Sequence, residues 1–352
     1  VFDAGAKTPG GSSLNDLLAK GQNKLCKILD ILVRFRRKQH GAAADISMCY
    51  NGVKLNPAHY CYQKYLWIDE LKEGGPVEEW VIKTLIYGVR SSGGQTMAAL
   101  QVLAEDAKVS KPENIAGAEV LSRDSYVDDI VTSVDSAEEA EKVAADVVTL
   151  LEGAQMSVKS FSFTGKTPSE KVSTDSKSIG LLGYAWECEQ DFIKPDIKEL
   201  FFGKASRGKL PEPITGDISA ALKKTFTRRT LTGKVAGVYD PLGLLTPITS
   251  KLKMDLHDLV QRKLDWDDQV PLQLLPTWVE NLETIQKLDD VRFRRTLIPE
   301  EAANTDIELI VAVDASENLA VCGVYSRVLL KNGSYDCQLI CAKSKIITGA
   351  TI

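Results

Sequence analysis

The chain has 352 residues, 44% of them apolar and 26% charged, with a formal net charge of −5. That length accommodates two or three domains with cores of their own, and the composition excludes disorder as the default. An acidic balance also argues against a protein that coats nucleic acid over its whole surface.

Charge is nevertheless segregated. Basic residues gather at Arg34, Arg36, Arg37 and Lys38, at Lys223, Lys224, Arg228, Arg229 and Lys234, and at Arg292, Arg294 and Arg295, whereas acidic residues concentrate between Asp128 and Glu152. This suits a protein that grips phosphate with one part and does metal chemistry with another; solvated helix faces are the plain alternative. The seven cysteines form no CxxC pair, and their odd number argues against a secreted disulfide framework. His40, His59 and His257 do not stand at zinc-ligand spacing with a cysteine. No secretory leader opens the chain and no apolar run reaches the ~20 residues of a membrane span, so the expectation is a soluble intracellular protein. The sequence begins without Met, inside an apolar pattern at Val1-Phe2-Asp3, and is expected to be a fragment truncated at both ends.

Taken in order, Ser13 to Lys38 carries apolar residues at helical spacing (Leu14, Leu17, Leu18, Leu25, Ile28, Leu29, Leu32, Val33). Ala42 to Leu55 reads as a strand or strand pair carrying Asp45. The runs Tyr60–Ile68 and Trp80–Tyr87, separated by a turn at Gly74-Gly75-Pro76, predict a hairpin. After Ser91-Ser92-Gly93-Gly94 a helix is expected over Met97–Lys108, then an apolar strand ending at Val127, two aspartates and a second strand over Ile130–Val134. Ser136 and Glu139 form a capping box for a helix whose apolar stripe is Ala140, Val143, Ala144, Val147, Val148 and Leu151. Strand, helix, hairpin, helix and strand make a split βαβ, ferredoxin-like arrangement within an α+β fold. Short strands follow to Gly203, and the Gly- and Pro-rich stretch 204–217 marks a domain boundary. A mostly helical region spans Ile218–Leu288, broken at Asp240-Pro241-Leu242-Gly243, Pro247, Pro271 and Pro276. Leu309–Val313 is a strand running into Asp314, and a hairpin follows around an Asn332-Gly333 turn.

Chemistry concentrates at Asp128 and Asp129. Nucleotide transfer to a primer hydroxyl needs two divalent cations, and magnesium prefers carboxylate oxygen. Adjacent aspartates at a hairpin tip are held by rigid strands, and pairing beside them brings in Asp45. A lone Asp-Asp pair says little. The string Tyr126-Val127-Asp128-Asp129 between two strands, with a capped helix after it, is far more specific.

YVDD is the form of the catalytic hairpin of reverse transcriptases, and the surrounding blocks resemble the BEL/Pao class of LTR retrotransposons over nearly the whole chain. FDAGAKTPGGSSLNDLLAKG resembles its fingers-side segment, and ILVRFRRKQHGAAADISMCYNGVKL its block with the first catalytic aspartate, which falls on Asp45. TRRTLTGKVAGVYDPLGLLTPI and LDWDDQVP resemble its later blocks. Trp266-Asp267-Asp268 belongs to that region and is expected to be exposed acids, not a metal site. The resemblance implies an RNA-directed DNA polymerase with Mg²⁺ or Mn²⁺ (two ions) on Asp45, Asp128 and Asp129.

It implies further roles residue by residue. Lys159 falls on a lysine that protonates pyrophosphate, with a surface lysine as the alternative. Tyr50 falls on the side chain that excludes a ribose 2′-hydroxyl. Tyr87, Gly88, Ser91, Ser92 and Gly93 fall on the segment under the template base and incoming nucleotide, with Gly93 where the family often has proline. Leu182, Gly183 and Tyr184 fall on the hairpin that holds the primer end, and Asp314 on the first metal ligand of ribonuclease H. The implied partners are an RNA template, a DNA primer, their hybrid and deoxynucleoside triphosphates, with no membrane; the implied location is a cytoplasmic virus-like particle with access to the nucleus. The expected organisation is fingers and ferredoxin-like palm over 1–203, a helical thumb or connection over 204–305, and a partial ribonuclease H-like α/β domain over 306–352. Ribonuclease H activity is not expected from Asp314 alone. A decayed or domesticated retroelement protein that binds nucleic acid or protein without catalysis is the alternative. A polymerase copying RNA from RNA is disfavoured by Val127 and Tyr50.

Overall fold

The computed structural model describes residues 3–68, 76–166, 178–197 and 226–347. The chain forms two compact units, one drawn from Val1–Arg34 and His40–Phe163, the other from Phe35–Gln39 and Thr164–Ile352. The expected boundary after residue 203 lies outside the described residues, and the segment from Thr164 groups with the second unit. A register explains this grouping: the sheet begun at residue 178 is completed by a strand at 293–294.

In the first unit the elements are α1 (Leu14–Leu17), α2 (Ile28–Arg37, its last residues counting with the second unit), β1 (His40–Ser47), β2 (Lys64–Trp67), β3 (Glu78–Val81), α3 (Ser92–Ser110), α4 (Ile115–Arg123), β4 (Ser125–Tyr126), β5 (Asp129–Val134), α5 (Ala137–Gly153), β6 (Ser157–Val158) and β7 (Ser162–Phe163). The main sheet is antiparallel in the order β4-β5-β1-β6, with β7 also pairing β1, and β2-β3 form a separate hairpin. Ala42 and Ile46 of β1 and Ile130 and Val134 of β5 meet Met97, Leu100, Leu121, Val143, Val147 and Leu151 from the helices in one core. The α5 stripe is buried as expected except that Leu150 takes the place of Val148. Ser136 caps that helix by accepting the Glu139 N–H, while the Glu139 carboxylate reaches back to Asp135 N–H, one residue before the cap.

Three expectations change. The helix read over Ser13–Lys38 is two helices, because Lys20-Gly21-Gln22-Asn23 interrupts it with Gly21 at φ +76°. Helix α3 begins at Ser92, five residues before the expected start, so Gly93 and Gly94 lie inside it. The stretch before the aspartates is not one strand: Ile115–Arg123 is α4, whose small residues Ala116, Gly117 and Ala118 allow close packing on α5, and only Ser125–Tyr126 is strand.

The second unit contains β8 (Ser178–Leu181), β9 (Tyr184–Glu187), β10 (Phe192–Pro195), α6 (Arg228–Ala236), α7 (Thr246–Gln261), α8 (Leu275–Lys287), β11 (Phe293–Arg294), β12 (Glu308–Ala315), β13 (Leu319–Leu329) and β14 (Tyr335–Ile346). Two sheets run β11-β10-β9-β8 and β12-β13-β14. Phe226, Leu231, Leu252, Leu259, Trp278, Leu282 and Ile285 join the three helices in one core. Pro247 and Pro276 do not break helices; they sit in the first turns of α7 and α8, where the missing N–H costs nothing. The Asn332-Gly333 turn is present, with Gly333 at φ +80°.

Several residues of the basic clusters are engaged within the fold. Arg36 and Arg295 are fully buried in the second unit. Arg295 forks onto Asp191 and donates to the carbonyls of Phe35, Lys38 and Gln39. Arg36 donates to the carbonyls of Arg294, Arg295, Leu339 and Ile340. Arg34 pairs with buried Asp124, Arg292 with Glu187, Arg294 with Asp336, and Arg229 with Asp267 beneath Trp266. Trp266, Asp267 and Asp268 are exposed, as expected. Lys223 and Lys224 lie outside the described residues.

Candidate active site

Two strands and a tight turn bring the expected carboxylates together. Tyr126 pairs with Asp129, which leaves Val127-Asp128 as a two-residue turn, and Asp129 faces Asp45 across β5 and β1. Residues paired this way on antiparallel strands have Cα atoms ~4.5–5.5 Å apart and side chains on one face. Ile46 N–H donates to the Asp128 carbonyl at 2.8 Å, so β1 also fixes the tip. On the other side of β1, Lys159 donates its N–H to the Asp45 carbonyl at 2.9 Å and sets Nζ 2.5 Å from Asp45 Oδ2.

The electrostatics of this cluster are those of crowded acids. Burial lifts the Asp129 carboxyl to about 7, the charges of Asp128 and Asp45 push the same way, and Lys159 opposes them. Burial also raises Asp128. Like charges held together at low dielectric are relieved by a proton or by a cation. An all-carboxylate set is the kind of donor that Mg²⁺ and Mn²⁺ take. In the present rotamers the set is not closed: among the described residues no three His, Cys, Asp or Glu side chains group so as to hold a metal ion. The donors fit a divalent cation in kind, and Asp45 would have to turn from Lys159 to join them.

Beside the carboxylates lies a small aromatic surface. Tyr50, in the turn after β1, meets Tyr87 edge-on with ring centroids 4.6 Å apart. A Cβ on Gly93 would stand 3.7 Å from the Tyr50 hydroxyl. Burial, then the Asp128 charge, raises both phenols above their ordinary range. The loop after Tyr87 is tied to α1 by Asn15, whose amide donates to the Gly88 carbonyl and whose side-chain oxygen accepts from Arg90 N–H, both at 2.8 Å. Ser91 Oγ accepts from Gln95 Nε2. Ser92 is buried and donates to the Ile86 carbonyl at 2.7 Å, so it shapes the loop from beneath.

In the second unit, Leu182-Gly183 is the two-residue turn joining β8 and β9, with φ +47° and +96°, the pattern of a type I′ turn. Tyr184 is not available for a direct contact. It is fully buried, its hydroxyl donates to Asp240 Oδ1 at 2.5 Å and accepts from Leu242 N–H at 3.2 Å. Asp240 in turn accepts the N–H groups of Leu244 and Leu245. The Tyr239 ring lies where a side chain on Gly183 would be, 2.3 Å from an ideal Cβ. Gly183→Ala is therefore expected to cost about 1–3 kcal/mol, from the positive φ and the displaced ring together, read as a lower urea midpoint. Asp314 lies on β12, all of whose residues are exposed. Asn15, Tyr239 and Asp240 were not singled out for the site from sequence. In sequence, Asp240-Pro241-Leu242-Gly243 reads only as a helix break.

The last third of the chain gives a sequence match: residues 227–351 match the family described as "Pao retrotransposon-like RNaseH-like domain". That segment is Pao-retrotransposon-like. The match agrees with the BEL/Pao resemblance of the motifs and runs from the start of α6 through β14. No curated protein matches the chain. Among solved structures, the foamy viral protease-reverse transcriptase dRH in complex with double-stranded DNA is similar, with a TM-score of 0.53 and 15% identity over 98% of this chain and 51% of that one. The foamy viral protease-reverse transcriptase in complex with RNA/DNA hybrid gives a TM-score of 0.51 and 16% identity over 96% of this chain and 37% of that one. These likenesses show a fold of the reverse-transcriptase kind, and the chain spans about half or less of those proteins' length. No described helix is long and apolar enough to cross a membrane.

Proposed function

We propose that the chain is the polymerase portion of a BEL/Pao-type retroelement protein, an RNA-directed DNA polymerase that copies an RNA template from a DNA primer. The observation carrying this reading is the pairing of Asp45 with Asp129, beside Asp128, at the tip of a hairpin. Residues 1–203 are then fingers and ferredoxin-like palm, 204–305 a helical thumb or connection, and 306–352 the opening of ribonuclease H with Asp314 as its first ligand.

Two divalent cations, Mg²⁺ or Mn²⁺, would supply activation of the primer hydroxyl and neutralise charge on the leaving pyrophosphate. Asp45, Asp128 and Asp129 are the residues that would hold them. Lys159 turns from Asp45 to give a proton to pyrophosphate. Tyr50, backed by Tyr87 and Gly93, forms the surface against the sugar of the incoming deoxynucleoside triphosphate, its ring excluding a 2′-hydroxyl. The backbone at Gly88 and Ser91 approaches the template base, while Ser92 supports that loop. The Leu182-Gly183 turn bears on the primer end, and Tyr184 holds the turn from behind. Cytoplasmic virus-like particles are the proposed location.

A second reading, binding of nucleic acid or protein without turnover, is favoured by the Lys159 ion pair on Asp45. Primer extension separates the two: poly(rA) template, oligo(dT) primer, dTTP and Mg²⁺ or Mn²⁺, beside an Asp128→Asn/Asp129→Asn control. Extension lost in the control is the expected result. Binding of primer–template without extension, unchanged by the double substitution, would establish the second reading.

A further inference from the structure

Val127 is the anomalous residue of the hairpin tip. Its φ is +59°, and a two-residue turn with positive φ at its first position ordinarily carries glycine there. A β-branched residue in that region is strained, and such strain persists only where the surroundings over-determine it. Here two sulfur atoms grip the residue from both sides. Val127 N–H donates to Met97 Sδ at 3.1 Å, and Cys49 Sγ–H donates to the Val127 carbonyl at 3.3 Å.

Both sulfurs are deeply placed, Met97 at 0% and Cys49 at 1% exposure. They come from different elements, the interior of α3 and the turn after β1, which themselves pack in the core under the sheet. An ordinary thiol is protonated at neutral pH, so Cys49 is a donor. Methionine and cysteine fill a core as apolar residues do, yet one accepts and the other donates a weak hydrogen bond. An aliphatic pair of equal bulk would pack as well and leave the Val127 peptide groups unpaired.

We infer that Met97 and Cys49 form a two-sulfur clamp on Val127 that positions Asp128 and Asp129. Its geometry stands by itself; its consequence for catalysis rests on the polymerase reading. Met97 and Cys49 touch neither substrate nor cation, and both are positioning residues that act through the Val127 backbone.

The test uses Met97→Leu, which keeps bulk and removes the acceptor, with Cys49→Ala, which removes the donor, and Cys49→Ser, which restores one. In the ¹⁵N-labelled chain, amide exchange at Val127 is expected to quicken roughly tenfold in Met97→Leu while protection elsewhere in α3 and β5 is kept. In primer extension, Met97→Leu and Cys49→Ala are expected to lower kcat about tenfold with KM for dTTP held within about twofold, and Cys49→Ser to recover most of the loss. Unchanged exchange at Val127 in Met97→Leu would overturn the clamp, as would a Cys49→Ser chain as slow as Cys49→Ala. If the unsubstituted chain extends no primer, the polymerase reading fails, and exchange at Val127 alone decides the clamp.

Discussion

Replacing Arg295 by methionine is expected to lower the stability of the second unit by about 3–5 kcal/mol, the cost of breaking a buried ion pair from one side. The guanidinium is wholly buried and spends its donors on both Asp191 oxygens and on the carbonyls of Phe35, Lys38 and Gln39. Its face lies over the Phe35 ring, 5.0 Å from the centroid. Methionine fills part of the volume, but Asp191 keeps the neutral donors Trp186 Nε1 and Thr164 Oγ1 in place of a cation, and three carbonyls lose a partner. Small domains are stable by only ~5–15 kcal/mol, so a loss of this size is a large fraction of the whole. Arg295→Lys is expected to recover little, because one ammonium cannot reproduce a planar fork with acceptors on several sides. Urea unfolding read from tryptophan fluorescence suits the test, since Trp186 packs edge-on to Phe35 within the same cluster. A midpoint shift worth less than about 1 kcal/mol would show that the network contributes little beyond packing.

The buried arginines also show where sequence stops being legible. A run such as Arg34-Arg36-Arg37-Lys38 looks like a basic surface because charge is visible in sequence and burial is not. Arg36 and Arg295 lie some 260 residues apart and are satisfied by backbone carbonyls, which leave no trace in residue identity. Elements with a strong local period were legible: the α5 stripe, its Ser136 cap, the hairpin around Asn332-Gly333 and the strand entering Asp314. The split of the first helix and the early start of α3 were not, because glycines in both places act according to context that only packing supplies. Within the candidate site, the YVDD string and Asp45 could be read from sequence, since carboxylates at a hairpin tip follow from strand alternation. The sulfur contacts of Met97 and Cys49 could not, because in sequence they are two more apolar residues. The role of Tyr184 differs for a similar reason: its hydroxyl is held by Asp240, 56 residues later, in a segment whose Pro and Gly drew the eye to the turn and away from the carboxylate.

Asp129→Asn is expected to cost at least ~10³-fold in primer extension, the order of several kcal/mol that a metal ligand supplies to charge stabilisation in the transition state. The unsubstituted site should also bind Mn²⁺ in a pH-dependent way whose sign follows from the raised Asp129 carboxyl. In the unfolded chain this group has the ordinary value near 3.8, and in the folded one it lies at about 7. Between those values the folded state keeps a proton that the unfolded state has released. The metal-free first unit therefore loses stability as pH rises from about 4 to about 7, and the contribution is level outside that window. A cation reverses the preference, because it binds the ionised carboxylate and displaces the proton. Mn²⁺ affinity is accordingly expected to fall about tenfold for each pH unit below 7 and to level off above it, as one proton is exchanged per ion bound. Asp129→Asn removes the titrating group, so the stability slope between pH 4 and 7 should flatten while Mn²⁺ binding weakens at every pH. Calorimetric titration with Mn²⁺ at pH 5.5, 6.5 and 7.5, in buffers of differing ionisation heat, measures both the affinity and the protons released. Affinity independent of pH with no proton release would mean that burial and the neighbouring carboxylates do not raise Asp129, and the cation site at Asp45, Asp128 and Asp129 would have to be given up.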